Sequence, residues 1–369
     1  MNTKKILTVF ILAAAAVFIN LTCTIDSPLT AAIADKINAD LDTSDEDGTT
    51  ISVTGVSLDK ASMTLTVGGT EQLTATVEPA DASDTSVSWT SDNESVAAVD
   101  ADGLVTGIAE GTASITVTTT DGGFTASCNV TVVLPTCTIT YDANDATHGT
   151  APEDSTEYVS GETITVADNT GSLSIDDTVD RDFIYWNTTV DGSGAVYLPG
   201  DTITAGGANI VLHAQFIGDP GPGGGYVFHD KGSYSDGWRY LEAAPSGWDG
   251  TMDPVEDWSN VDDVLIGTTE TVIGSGSDNT DDIIGQDGHS SSAAKLCRDF
   301  GDEWFLPSKD ELNGMYNNLH RNGIGGFASD FYWSSSEGSS YHAWKQDFSD
   351  GSQRGSDCQR QIANQKCRL

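Results

Sequence analysis

Basic residues are scarce in this sequence. The 369-residue chain carries 16 Lys and Arg against 56 Asp and Glu, which gives a formal net charge of −40. A surface this acidic repels nucleic acid, other polyanions and anionic lipid headgroups within a Debye length. We therefore expect no nucleic-acid partner, and membrane contact only through an N-terminal lipid. Solubility outside a cell is the simplest explanation of the charge.

Patterns for catalysis and metal binding are also missing. The six His residues, at 148, 213, 229, 289, 320 and 342, are scattered with no pair at metal-ligand spacing. There is no nucleophile elbow, and the acidic loops at residues 191–194 and 278–282 lack EF-hand spacing, so Asx turns are favoured over calcium sites. We expect no cofactor and no enzyme activity; catalysis by Cys358 and Cys367 is a remote alternative.

Only one long apolar run occurs, from Ile6 to Ile19. It follows Lys4 and Lys5 and is too short for a comfortable membrane span, so residues 1–23 are predicted to be an export signal. The end of the run resembles a lipoprotein signal, which implies acylation of Cys23 and anchoring at the cell envelope or surface; simple secretion is the alternative. Residues 24–50 are predicted to be a disordered linker.

Cysteines are few, six in all, and acylation of Cys23 would leave five. In an oxidising compartment Cys297 could bridge to Cys358 or Cys367, and Cys128 could reach Cys137. The sequence does not determine the connectivity.

The abundant residues are Thr, Ser, Gly and Val, which favour strands and turns. We predict a multidomain, mainly β protein. Residues 51–134 contain seven or eight short alternating strands, which implies a β-sandwich. They resemble a bacterial Ig-like group 2 domain in an ordered set of positions that includes Gly68, Gly69, Gln72, Leu73, Pro79, Trp89, Asn93, Val96, Gly103, Gly107 and Ile115. Trp89 is expected to fill the sandwich core, and the resemblance implies a spacer rather than a site.

A second β-rich module is predicted over residues 135–217. It resembles a Listeria-Bacteroides repeat, the internalin B-repeat, at positions that include Tyr141, Gly149, Pro152, Gly161, Trp186, Asn187, Gly192, Tyr197, Gly200 and Leu212. That resemblance implies a small β-grasp-like fold that serves as a stalk. The chain departs from the repeat pattern at Ile184 and Tyr185, where a small residue and Gly are usual.

The terminal domain is predicted over residues 218–369. It should open with a hairpin whose turn lies between Gly232 and Gly237, and continue through an acidic loop over residues 244–289, anchored by Trp248 and Trp258. A first helix over residues 290–300 would bury Cys297 and Phe300. A second helix begins at Ser308, where Ser308 and Glu311 have the spacing of a capping box.

The end of this domain carries the motifs Leu306-Pro-Ser-Lys-Asp-Glu-Leu312 and Tyr332-Trp-Ser-Ser-Ser-Glu337. They resemble the C-type-lectin-like domain of the Lcl C-terminal type, which implies an α+β fold and extracellular recognition. The usual closing strand is missing from the last residues, which puts that strand in doubt. The sequence also lacks the triplets of a calcium-dependent sugar site.

The strand after Tyr341 provides the candidate binding face. Alternation assigns Trp344 and Phe348 to the core, so Tyr341, Lys345 and Asp347 should face solvent or a ligand. The YWSSSE motif is predicted to support that surface from below. These observations predict a surface-anchored adhesion or ligand-binding protein with an extracellular protein or glycan ligand; a structural envelope protein is the alternative.

Overall fold

The computed structural model describes residues 50–248, 253–261, 263–357, 361–362 and 367–368, the last two pairs by their backbone. The predicted export signal, the lipidation site Cys23 and nearly all of the predicted linker lie outside the described residues, as does Cys358. The described chain is mostly strands with few helices, which confirms a multidomain, mainly β protein. Among the described residues, no helix combines the length and apolarity needed to span a membrane.

The chain divides into two compact units, of which the first holds the described residues up to 131 except two short loops. Its nine strands form a four-stranded sheet in the order β2-β9-β8-β5, a three-stranded sheet β3-β7-β6 and the pair β1-β4. The strands are β1 Gly55–Leu58, β2 Ser62–Thr66, β3 Thr70–Gln72, β4 Ala75–Glu78, β5 Val87–Ser91, β6 Ala97–Val99, β7 Leu104–Gly107, β8 Gly111–Thr119 and β9 Thr125–Val133. Buried and more exposed positions alternate along β8 and β9, as expected for a sandwich strand with one side facing solvent.

Trp89 does not fill this core, contrary to the sequence prediction. Its side chain is only partly buried on β5, while Ile115 and Val117 of β8 are fully buried. A Cβ at Gly103 would come within 2.8 Å of the Trp89 ring and of the Leu73 carbonyl, and the backbone there has φ +86°. Trp89 therefore packs against the backbone of a tight turn, which only glycine permits.

The second unit begins with the repeat-like module, whose strands are β10 Thr136–Cys137, β11 Ile139–Asp142, β12 Tyr158–Val159, β13 Thr163–Thr165, β14 Ser174–Ile175, β15 Arg181–Asn187, β16 Val196–Tyr197, β17 Thr202–Thr204 and β18 Ile210–Phe216. The main sheet runs β11-β18-β15-β14, with β16 added to β15. β11 and β18 are parallel, and β18 and β15 are antiparallel. Trp186 is fully buried in the core, where its ring centroid lies 4.8 Å from that of Tyr141.

Cys128 and Cys137 do not bridge. Both thiols are free and buried. Cys128 is on the inward-facing side of β9, and Cys137 belongs to the hydrophobic core of the repeat-like module. Each side chain therefore packs as a small apolar residue in its own module.

The terminal region contains the remaining strands, β19 Tyr226–Ser235, β20 Trp238–Ala243, β21 Val255–Glu256, β22 Trp304–Phe305, β23 Phe331–Ser339, β24 His342–Asp347, β25 Gln353–Asp357, β26 Gln361–Ile362 and β27 Cys367–Arg368. They form the sheets β19-β20-β27-β22 and β23-β24-β25 and the pair β21-β26. The doubt about a closing strand was wrong, because the backbone of β27 pairs with both β20 and β22.

The opening hairpin is confirmed, but its turn is shorter than predicted. β19 continues to Ser235, and the turn consists of Asp236 and Gly237 with φ of 51° and 89°. Two successive left-handed residues are what a two-residue type I′ turn requires.

Three helices complete the region: α1 Gly276–Ile284, α2 Ala293–Phe300 and α3 Lys309–Asn318, with a short 3-10 helix His320–Asn322 after α3. α2 and α3 match the predicted helices, and α1 lies where the sequence predicted a loop. Cys297 is buried in α2 as expected, but Phe300 is 52% exposed. Phe300 is the last residue of α2. Its ring packs against the rings of Trp248 and Trp304, with centroid distances of 5.6 and 5.9 Å.

Candidate recognition surface

The structure does not bring Tyr341, Lys345 and Asp347 onto one exposed face. Tyr341 is 57% exposed and lies in the turn between β23 and β24, whereas Lys345 and Asp347 are only 8% and 9% exposed. β24 is the middle strand of its sheet, and buried residues lie on both of its faces: Ala343 packs with Trp333, while Gln346 is fully buried on the other side. Alternation identifies a solvent-facing side only when one side of a strand is open. The face assignment was therefore wrong for Lys345 and Asp347, whereas Tyr341 is exposed and Phe348 is buried as expected.

Lys345 lies in an aromatic and cationic cluster. Its Nζ is 4.3 Å from the centroid of the Phe331 ring and 5.9 Å from that of Trp333. Arg354 is opposite Lys345 across β24 and β25, and its guanidinium carbon is 5.0 Å from the centroid of the same Phe331 ring. Burial lowers the pKa of Lys345 and the neighbouring charge of Arg354 lowers it further, while the carboxylates of Asp347 and Asp330 oppose the shift.

Asp347 has structural partners. Its Oδ1 accepts hydrogen bonds from the backbone N–H and the hydroxyl of Ser349, at 2.9 and 2.5 Å. Its Oδ2 accepts one from Arg354 Nη2 at 3.3 Å. Asp347 therefore closes the turn after β24 and orients Arg354.

The serine motif is buried, although the binding face that it was predicted to support is not formed. Ser334, Ser335 and Ser336 are fully buried. The Ser334 hydroxyl donates to the Trp344 carbonyl at 3.1 Å, and that of Ser336 donates to the Glu270 carbonyl at 2.6 Å. Trp333, from the same motif, is a fully buried core residue.

Glu311 forms the predicted capping box with Ser308 and also accepts hydrogen bonds from the segment before α1. It is fully buried, and its Oε2 accepts a hydrogen bond from the Ser308 N–H at 2.7 Å. Its Oε1 accepts from the N–H groups of Gly274 and Gly276, at 2.7 and 3.3 Å. Burial raises the pKa of Glu311 to about 7, although these hydrogen bonds oppose the shift. The carboxyl group thus fastens the entry to α1 onto the start of α3.

Residues 257–275, between β21 and α1, form a long segment without regular structure that we call the connecting segment; residue 262 is not described. The Glu337 carboxylate accepts hydrogen bonds from the N–H groups of Ile266 and Gly267 at 3.1 and 3.0 Å. Asn279 of α1 accepts from the Glu270 N–H at 2.8 Å and donates to the Glu270 carbonyl at 2.7 Å. Four large apolar side chains on this fastened segment remain exposed: Val264 51%, Leu265 62%, Val272 51% and Ile273 38%.

A cavity of about 500 Å³ lies beside the connecting segment. Its lining includes Trp238, Lys231, Glu270, Val272 and Ile273. Lys231 Nζ lies 3.9 Å from the centroid of the Trp238 ring. The cavity therefore combines an aromatic side chain with apolar and charged groups, as small-ligand sites do.

Two residues of β15 pack against the terminal region. Ile184 and Tyr185 are buried together with Val227 of β19. The Tyr185 hydroxyl donates to the Pro220 carbonyl at 2.9 Å, and its ring centroid lies 5.4 Å from that of Tyr240. A glycine at position 185 would leave this contact empty.

Of the two acidic segments predicted to form Asx turns, residues 191–194 do so, whereas residues 278–282 lie in α1. Asp191 Oδ1 accepts from the N–H and hydroxyl of Ser193 at 3.1 and 2.7 Å, which is the predicted Asx turn. Asp281 pairs with Arg298 at 2.6 Å, and Asp282 accepts from Thr268 at 2.6 Å. Of the proposed disulfide partners, Cys297 is buried, whereas Cys358 and the side chain of Cys367 lie outside the described residues.

Residues 52–130 match the family of bacterial Ig-like domains, group 2, which confirms the Ig-like prediction for the first unit. An alpha-L-arabinofuranosidase of Bifidobacterium longum subsp. longum is 46% identical over 84 residues, which are 23% of this chain and 8% of that protein. An Ig-like virion protein of Serratia phage KSP90 is 46% identical over 83 residues, which are 22% of this chain and 32% of that protein.

Among solved structures, a mutant of intimin from EHEC O157:H7 is 22% identical over 23% of this chain and 54% of that chain, with a TM-score of 0.19. That score is too low to support a conclusion about function. The chain spans between 8% and 32% of the length of the two relatives named above. The relatives named as glycosidases match through the Ig-like part alone, so their activities are not transferred by this match.

Proposed function

We propose that this protein is a cell-surface recognition protein, in which the Ig-like domain and the repeat-like module of residues 135–217 form a stalk for a lectin-like terminal domain of residues 218–369. Its ligand is an extracellular protein or a glycan. The match to the bacterial Ig-like family supports the stalk. Similar domains make up only part of larger proteins as different as an arabinofuranosidase and a virion protein, which is typical of a spacer.

The observation that carries the proposal is the connecting segment. Loops longer than about 12 to 15 residues without regular structure are uncommon inside compact domains and are often binding loops. This segment is fastened by Glu337, Asn279 and Glu311 and still presents exposed Val264 and Leu265. A segment held rigidly with apolar side chains outward is pre-organised for binding.

An array of extracellular matrix proteins and glycans, probed with the chain from residue 24 onward, tests the proposal. We expect saturable binding to at least one ligand, and a heat-denatured sample of the same chain is the control. Binding no stronger than that of the denatured control would contradict recognition and favour the structural envelope protein.

Anchoring is a separate part of the proposal. We propose that Cys23 becomes the acylated first residue, so that the stalk starts at the membrane surface. Intact mass of the protein purified from membranes should show a diacyl or triacyl modification on a chain that begins at Cys23. In a Cys23→Ser variant the protein should appear in the medium; an unmodified mass for the wild type would instead establish simple secretion.

A further inference from the structure

Lys345 carries its ammonium group to the protein surface, where it has no ion-pair partner in the described part of the chain. It is 8% exposed, and among the described residues no oxygen accepts a hydrogen bond from its Nζ and no carboxylate lies within ion-pair distance of it. The surrounding side chains partly desolvate this charge, and a cation over an aromatic ring recovers only about 0.5 to 2 kcal/mol of that cost. An anionic partner would therefore stabilise the ammonium group of Lys345.

The neighbouring carboxylates of Asp347 and Asp330 act on Lys345 electrostatically, but neither lies within ion-pair distance of it. The Asp347 carboxylate is occupied by Ser349 and Arg354. Asp330 is exposed, and its Oδ1 accepts a hydrogen bond from the Phe331 N–H at 2.7 Å. The like charge of Arg354 lies opposite Lys345 across the sheet. Two cations thus converge on one ring, and only one of them has a carboxylate partner.

We propose that Lys345 and Arg354 together bind a single carboxylate, that of an aspartate or glutamate side chain on a protein partner. This inference rests on the proposed recognition function and names the chemistry of its ligand. One carboxylate would pair with Lys345 Nζ and share the guanidinium of Arg354, whose side chain is 51% exposed.

The aromatic ring favours a peptide over an acidic sugar as the source of the carboxylate. Sugar rings bind proteins largely by stacking on an open aromatic face. At Phe331 both cations lie over the ring, with Lys345 Nζ at 4.3 Å and the Arg354 guanidinium carbon at 5.0 Å. The Phe331 ring therefore contacts the two cations and is not an open face on which a sugar ring could stack. A long polyanion is disfavoured by the net charge of −40, whereas one carboxylate on a partner is not.

The test is a titration of the 15N-labelled chain, followed by two-dimensional NMR, with N-acetyl-glutamate methylamide. We expect saturable shift changes for residues of β23, β24 and β25. The matched neutral probe, N-acetyl-glutamine methylamide, should bind at least tenfold more weakly. Equal binding of the two probes, or no shift changes, would overturn the site. Stronger binding of glucuronate than of the glutamate probe would overturn the peptide as occupant.

Two variants separate a binding role from a structural one. Lys345→Met removes the charge and keeps the chain length, and should weaken the glutamate probe at least tenfold without lowering the thermal midpoint. Lys309→Met is the control, because Lys309 Nζ also lies over an aromatic ring, 4.1 Å from the Trp344 centroid; it should bind the probe within twofold of wild type. A midpoint several degrees lower in Lys345→Met would make Lys345 a structural residue and contradict the proposal.

The site and the recognition function can fail separately. If Lys345→Met binds its array ligand as tightly as wild type, the carboxylate site is wrong and recognition by another surface stands. If the probe binds as described but no array ligand is found, the pairing chemistry stands and the recognition function is contradicted.

Discussion

Glu311 links the stability of the terminal region to pH. Its pKa is raised by burial from an ordinary 4.5 to about 7, so the folded chain holds a proton that the unfolded chain releases above pH 4.5. The stabilisation is complete below pH 4.5 and is lost as pH rises through about 7. We expect this residue alone to lower the free energy of unfolding by roughly 3 kcal/mol between pH 4.5 and 8, as measured by urea denaturation.

A Glu311→Gln variant isolates this effect. The pKa values of His229, His289 and His320 are lowered by burial, which gives a pH dependence of the opposite sign, but these groups act equally in both proteins. The difference in stability between wild type and variant should therefore shrink as pH rises from 5 to 8. A difference that stays constant over this range would show that Glu311 does not titrate there.

Sequence spacing predicted part of what Glu311 does and could not predict the rest. Ser308 and Glu311 are three residues apart at the start of an amphipathic run, so their mutual cap was readable. The bonds to Gly274 and Gly276 join positions more than 30 residues away and have no local signal. For Lys345 the sequence pattern was misleading. Residues do alternate between the two faces of β24, but both faces are covered by parts of the chain that are distant in sequence.

At the level of elements, α1 shows why the sequence predicted a loop where a helix forms. Its sequence, GSDNTDDII, is rich in residues with poor helix propensity. Tertiary contacts stabilise it instead: the Leu306 N–H donates to the Thr280 hydroxyl at 3.0 Å, and Asn279 donates to the Ser335 hydroxyl at 3.1 Å. Helices α2 and α3 were predicted because their caps and apolar spacing are local.

Strand β15 should couple the repeat-like module to the terminal region. Tyr185 is fully buried at their junction and donates a hydrogen bond to the Pro220 carbonyl. We expect Tyr185→Ala to cost about 3 to 5 kcal/mol and to split one calorimetric transition of these parts into two. Tyr185→Phe keeps the ring and should cost only about 1 kcal/mol, with a single transition retained. An Ala variant that unfolds like the Phe variant would mean that the junction does not couple the two parts.

At the scale of the whole molecule, the sequence predicted the mainly β architecture and the Ig-like domain, since both depend on repeated local patterns. The contact of Ile184 and Tyr185 with Val227 was missed, because it joins two modules that were interpreted separately. In the sequence these two residues only weakened a resemblance. In the structure they form the contact between residues 135–217 and the terminal region.

The central claim is that the terminal region recognises a ligand and the Ig-like domain holds it in place. Hydrogen exchange of the chain from residue 24 onward, with and without its array ligand, tests this most directly. The account predicts slower exchange on binding within residues 226–357, including the connecting segment, and unchanged exchange in residues 52–130. Protection confined to residues 52–130, or no ligand that binds above the denatured control, would contradict it.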